Sequence, residues 1–369
     1  MARQACRLAA LFAWAVTIAG AQDPFGEARR RNNDAAALYA EGRFDAAEPL
    51  YRAALALSAH DPLTAATIAS NLGALYKRLN RFAEAEQMYT RALDLRRKRL
   101  PSLRPEIADS MNNLAEVYRL EGRYWEARNL IEAAVRALEQ ADPQSPDLPV
   151  FLNNWAGLER DLQHSDQAEQ LLHQAWSRAE KSGEPANGSL AIVMNTLAQV
   201  LTDKHNYENA ERLYRRAGAI FESAGPDSSH YLAGTLANLG RMLMLVGRSE
   251  EAQQIELRAL ALVNSEPHPD DLLRAAILHN IGNVAAAEGN VPDALVYFEQ
   301  SLSAQERILG REHPSIADVL FDYAAAAARA GEKSQAHKLR KRADQLLARR
   351  KHDDLSRYTV DASAFLQAR

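Results

Sequence analysis

Cysteine is all but missing: Cys6 stands alone among 369 residues. A lone thiol leaves no internal disulfide, no paired-cysteine redox chemistry and no cysteine-built zinc site. Long apolar runs are missing as well. The stretch Leu8 to Ile18 falls short of the ~20 residues that a membrane span needs. β-Branched residues are sparse, and no segment alternates apolar with polar as a half-buried strand does. Signatures of catalysis are lacking too: the chain has no HExxH, no Walker loop, no GxSxG and no Cys-x-x-Cys. The ten histidines are scattered and never frame a carboxylate four apart on one helix. No metal, no cofactor and no enzyme activity is therefore expected. Excess positive charge is also absent, since the formal net charge is -4, which argues against a nucleic-acid partner.

What is present is Ala, Leu, Arg and Glu in abundance. These are strong helix formers and predict an all-α chain. The N-terminus has its own signature. Arg3 and Arg7 precede the apolar run, and Ala19-Gly20-Ala21 follows it as a small-residue cleavage pattern. This predicts a signal peptide over 1–21 and an exported protein, periplasmic or secreted. Loss of that leader removes two arginines and no acids, leaving 42 bases against 48 acids, a net charge of -6.

The rest of the chain keeps time. Alanine recurs at Ala47, Ala85, Ala127, Ala168, Ala210, Ala252, Ala294 and Ala336, at spacings of 38, 42, 41, 42, 42, 42 and 42 residues. A fixed period of this length is the mark of a solenoid. Twelve residues before each anchor stands Gly or Ala (Ala35, Gly73, Ala115, Ala156, Ala198, Gly240, Gly282, Ala324), and seven after it another small residue. Small residues at these points let two antiparallel helices approach closely. Four after the anchor a larger group fills the gap: Tyr51, Tyr89, Ile131, Leu172, Tyr214 and Phe298, with Glu256 and Arg340 as departures. Five before it, Gly42, Gly122, Gly247, Gly289 and Gly331 suit the left-handed end of a first helix. Joints rich in Pro, Asp and His, such as His60-Asp61-Pro62 and Glu312-His313-Pro314, read as turns leading into helices.

The predicted organisation is a signal peptide 1–21, a polar lead-in 22–31, an array over 32–349 and a C-terminal tail 350–369. Its eight helix-turn-helix repeats lie near 32–58, 65–97, 107–138, 150–178, 190–223, 232–263, 273–309 and 315–349. Asp45 and Glu48 are expected to form a capping box in the first repeat, with Pro49 tolerated in the same turn. The charged second helix of repeat eight reads as a polar cap on the end of the stack.

The wording of the repeat, NNLA…Y…GRY..AE.LY..AL…HP, resembles the tetratricopeptide repeat. The 42-residue period, longer than the usual ~34, is similar to that of the kinesin light chain subclass. The resemblance covers residues 32–349. It implies helix pairs stacked into a right-handed superhelix, with each first helix on the concave face.

Fourteen residues before the anchors runs a polar column: Asn33, Asn71, Asn113, Asn154, Thr196, Asn238, Asn280 and Asp322. Asparagine is a middling helix former, so the column needs a reason. One is recognition, since a carboxamide offers donor and acceptor to a peptide main chain. The resemblance implies this role for Asn71, Asn113, Asn154, Asn238 and Asn280. The other is structural, with the amides bonding between repeats. Three, six and seven residues further along the same face come Lys77, Arg78, Glu116, Arg119, Arg160, Asp161 and Arg241. Lys77, Arg78, Arg119 and Arg160 give the first half of the groove a basic bias and an expected taste for acidic peptides.

The function expected is a non-enzymatic adaptor holding an extended peptide or helix of a partner protein. A spacer or assembly platform using the convex face or the ends is the alternative. A hydrolase built on Glu116 and Asp161 is the remote one.

Overall fold

The computed structural model describes residues 24–101, 104–181 and 188–352. The expected signal peptide, the start of the lead-in and the tail beyond His352 lie outside the described residues. Among the described residues there are sixteen α-helices and no strand. They are α1 (Pro24–Ala40), α2 (Phe44–Leu57), α3 (Pro62–Arg78), α4 (Phe82–Arg99), α5 (Pro105–Leu120), α6 (Tyr124–Ala141), α7 (Leu148–Asp161) and α8 (Ser165–Lys181). There follow α9 (Gly188–Asp203), α10 (Tyr207–Ser223), α11 (Ser229–Leu245), α12 (Ser249–Ser265), α13 (Asp271–Ala287), α14 (Val291–Leu309), α15 (Ala317–Arg329) and α16 (Lys333–His352). Odd and even helices pair as eight hairpins. None of the helices is long and apolar enough to cross a membrane.

The hairpins close where small residues permit it. The anchors Ala47, Ala85, Ala127, Ala168, Ala210, Ala252 and Ala294 are wholly buried. The contact is tightest at glycine: a Cβ on Gly73 would stand 2.9 Å from the Tyr89 ring, and one on Gly282 2.8 Å from the Phe298 ring. The left-handed residue five before the anchor is present in all eight repeats, including three that lack glycine. Asn80, Gln163 and His205 take φ values of 57°, 66° and 60°, beside 72° to 84° at the five glycines. The position is set by the turn, and those three side chains bear its steric cost.

Helix starts follow the joints. Asp61 accepts from Thr64 N–H, and Asp270 accepts from Leu272 and Leu273 N–H. His313 caps the short 3-10 turn before α15 by accepting from Ser315 N–H. The expected capping box does not form. The cap of α2 is Arg43 with no side-chain bond, because Glu48 faces Arg81 and Arg52 instead. Pro49 sits one turn deeper than the helix start, and α1 begins at Pro24, inside the stretch read as a lead-in.

The direction of curvature is visible in the packing. First helices touch their counterparts in the next repeat: α1 on α3, α5 on α7, α7 on α9, α9 on α11, α11 on α13 and α13 on α15. Second helices make no comparable contact with each other. A stack compressed along one row of helices curves toward that row, so the odd-numbered helices line the concave side. The last helix, α16, buries little more than Ala343 and Leu346, and the Arg340 guanidinium lies 5.3 Å from the Phe321 ring. A solenoid end of this kind needs a polar outer face.

Candidate functional site: the concave groove

The asparagine column lies on the concave helices, and much of it bonds backward along the array. Asn71 Nδ2 donates to Asn32 Oδ1 at 2.9 Å, Asn154 to Asn112 at 3.1 Å and Asn238 to Asn195 at 3.2 Å. Each acceptor stands just before the column in the previous repeat. The amide nitrogens thus tie successive first helices together. Their oxygens, in Asn71, Asn154 and Asn238, accept no hydrogen bond among the described residues, and the three side chains are half-buried on the groove wall. Asn113 forms no side-chain hydrogen bond among the described residues and is half-buried. Asn280 differs: it is buried, and its Nδ2 donates to the Ala237 carbonyl (3.1 Å) and to Glu256 Oε1 (2.8 Å). Its amide nitrogen serves packing.

The bases expected to attract acidic ligands already have acids, supplied by the next repeat. Lys77 Nζ lies 2.6 Å from Glu116, Arg119 Nε 2.6 Å from Asp161, and Arg160 Nε 2.6 Å from Asp203. Arg160 also donates to Gln199 at 2.9 Å, and Arg241 approaches the other Asp203 oxygen at 3.8 Å. Arg78 does not serve the groove at all; Glu266 and Asp270 hold it. The concave wall is therefore a zipper of alternating charge, and its basic bias is cancelled residue by residue.

The zipper sets protonation. Burial pushes the Glu116 carboxyl up, but the Lys77 charge and hydrogen bond outweigh it and hold the group below its ordinary value. Lys77 is raised in turn, since Glu116 overcomes burial. Arg119 is raised by Asp161. A carboxylate held ionised by a lysine is a poor general acid. Asp109, half-buried on the same face of α5, behaves otherwise. Burial and nearby Asp147 push its carboxyl up to about 6, against the pull of Arg96. No repeating residue type marks its column position in the sequence.

A second repeating device went unread. Four residues before the anchor stand Arg81, Arg123 and Arg248. Each pairs with a glutamate in its own helix and with one from the preceding repeat: Arg81 with Glu84 and Glu48 (2.7 Å), Arg123 with Glu126 and Glu86 (2.9 Å), Arg248 with Glu251 and Glu211 (2.7 Å). Arg81 and Arg123 also cover the rings of Tyr76 (4.3 Å) and Tyr118 (3.7 Å). The signal was the arginine of the Gly-Arg-Tyr turn, recurring with the period.

Outside the groove, a cleft of about 1180 Å3 opens on the edge of the solenoid. The turns at Glu121–Glu126 and Leu162–His164, the Leu309–Pro314 joint and the later turns of α16 line it. Trp125 stands in its wall, with the Arg128 guanidinium 5.5 Å from the indole. Trp155 packs against the core and donates to the buried Glu159 carboxylate at 2.8 Å.

The family model described as "Tetratricopeptide repeat" matches residues 31–98, 64–140, 147–223, 189–265, 231–304 and 273–343. No curated protein matches the chain. Among solved structures, the fold is similar to a Rap protein complexed with competence and sporulation factor, at 16% identity over 89% of this chain and 100% of that one, TM-score 0.63. A Rap conjugation gene regulator in complex with a Phr peptide is similar at 16% identity, over 81% and 79% of the two chains, TM-score 0.64. Kinesin light chain repeats from Podosopora anserina are 22% identical over 56% of this chain and 98% of theirs, TM-score 0.41.

Proposed function

The chain belongs to the tetratricopeptide repeat family, and from that premise we propose that it is an exported adaptor that holds an extended peptide segment of a partner protein in its concave groove. The observation that carries this reading is the row of carboxamide oxygens at Asn71, Asn154 and Asn238 that accept no bond among the described residues. They repeat along one wall, and each nitrogen is already fixed by the preceding repeat. An acceptor whose own donor is tethered is preorganised, so a peptide N–H meets it at little entropic cost. The Asn amide thus sets the stacking of repeats with its nitrogen and offers its oxygen to a ligand.

The ion-paired wall modifies the expected selectivity. A ligand carboxylate reaching Arg119 or Arg160 must displace Asp161 or Asp203, exchanging one ion pair for another. Side-chain charge then contributes little to affinity, and main-chain bonding dominates. The Phr peptide bound by the Rap conjugation gene regulator fits this reading, as does the leader-like start of the chain for export.

The test is a peptide array drawn from exported proteins, probed with the chain from residue 22 onward. Replacing Asn71, Asn154 and Asn238 together with alanine should abolish the captured spots while the thermal transition persists. Retention of every spot in that variant sinks the claim. Arg119→Glu should change binding far less than the triple variant. A larger loss at Arg119, steeply dependent on salt, would restore the acidic-peptide preference instead.

A further inference from the structure

The superhelix comes round on itself. Arg78, at the end of α3, donates to Glu266 Oε2 at 2.5 Å across 188 residues of sequence. Its other terminal nitrogen lies 3.7 Å from Asp270, and the His268 carbonyl accepts a longer bond at 3.4 Å. The same guanidinium stands 5.6 Å from the Phe44 ring, and that ring faces His268 at 5.2 Å. Pro267 comes within 3.7 Å of where a Cβ on Gly42 would be.

The contact continues along the edge. A Cβ on Gly122 would stand 3.1 Å from Pro314 and 3.3 Å from His313. Between these two points the turns at Asn80–Glu84 and Leu120–Arg123 face Ile308 and Leu309 across a narrow gap. The hairpin turns of the first three repeats therefore rest on the joints that follow repeats six and seven. One edge of the solenoid rests against the other at these points, and the concave helices are left inside.

We infer that this seam closes the groove into a collar that a peptide enters by a free chain end, with Arg78 as the clasp. The free-end requirement rests on the peptide reading above; the clasp does not. Elsewhere the solenoid is held by helices packing on helices, whereas the seam is made by turns, one guanidinium and two carboxylates. His230 of α11 also faces both carboxylates, at 4.0 Å from Glu266 and 3.9 Å from Asp270. The seam can thus part without separating packed helices. A threading groove selects short free peptides or chain termini and rejects loops within folded proteins.

The only cysteine is Cys6, so with Cys6→Ser paired spin labels can be placed at Glu41 and Asn264, both exposed on opposite sides of the seam. Electron-electron distance measurement on the otherwise intact chain should give one narrow, short distribution. Arg78→Glu should lengthen and broaden it, and Glu266→Lys should do the same independently. In parallel, random short peptides displayed with a free end, and the same library closed into disulfide loops, are selected on both forms. Wild type should enrich free-ended peptides alone, and Arg78→Glu should enrich both. A distribution unchanged by either substitution overturns the clasp. Equal enrichment of looped peptides on wild type overturns the free-end requirement. Failure of both libraries on both forms removes the peptide reading and the free-end requirement with it, while the distances still decide the clasp.

Discussion

Replacing Glu256 with glutamine should flatten the pH dependence of stability in the second half of the array. Glu256 occupies the place held by Tyr51, Tyr89, Tyr214 and Phe298 in other repeats, and it is wholly buried. Oε1 accepts from Asn280 at 2.8 Å, while Oε2 is buried with no partner. Gly240 leaves just enough room, for a Cβ there would come within 2.3 Å of the carboxyl. Burial raises the carboxyl well above its ordinary value, against the Asn280 hydrogen bond and the more distant Arg241 charge. In the folded chain the group therefore keeps its proton at pH values where the unfolded chain has lost it. Its contribution to stability is full below the ordinary value near 4.5. Stability then falls as pH rises, by about 1.4 kcal/mol per unit, until the folded-state value is passed. Glutamine has the same shape, keeps the acceptor for Asn280 and cannot ionise. Urea unfolding, followed by hydrogen exchange in α11 to α13 to localise the effect, should show the two proteins equal near pH ~4.5. At pH ~6.5 glutamine should lead by up to about 3 kcal/mol. Parallel stability curves for the two proteins across that range would refute the reasoning.

Two other substitutions probe the hairpin geometry. Gly282→Ala places a methyl 2.8 Å from the Phe298 ring and should cost about 1–3 kcal/mol through overpacking, read as a lowered thermal midpoint; an unchanged midpoint would show that the ring can yield. Gln163→Gly removes a non-glycine side chain from φ 66° and should stabilise by about 1 kcal/mol, less the backbone entropy that glycine adds, read as a raised urea midpoint.

Much of this was legible in the order of residues, and the reason is the repeat. Ala127 and its seven equivalents, the small residues twelve before them and the left-handed position five before them recur because every hairpin solves the same packing problem. Eight noisy copies of one solution reveal it where a single copy would not. The turn even outlasts its glycine, as Asn80, Gln163 and His205 show. The charge zipper was half legible. Lys77, Arg119 and Arg160 were placed on the groove face, but their partners Glu116, Asp161 and Asp203 lie one repeat further on. Glu116 and Asp161 were placed on that face too, but that each closes on the base of the preceding repeat, and that Asp203 does the same, depends on how neighbouring helices are offset. Asn280 shows the same limit from the other side. Its column position was clear, yet its inward turn depends on Glu256, a departure in a different helix.

By itself the sequence determined the helices, their pairing and the row of polar groups on the inner face. These follow from propensity, spacing and nearest-neighbour packing, which act over a few tens of residues. Only the tertiary structure decided that Arg78 meets Glu266. That meeting depends on the pitch of the superhelix, a sum of small rotations over five repeats. No local pattern encodes such a sum, because an error of a few degrees per repeat would carry the two edges past each other.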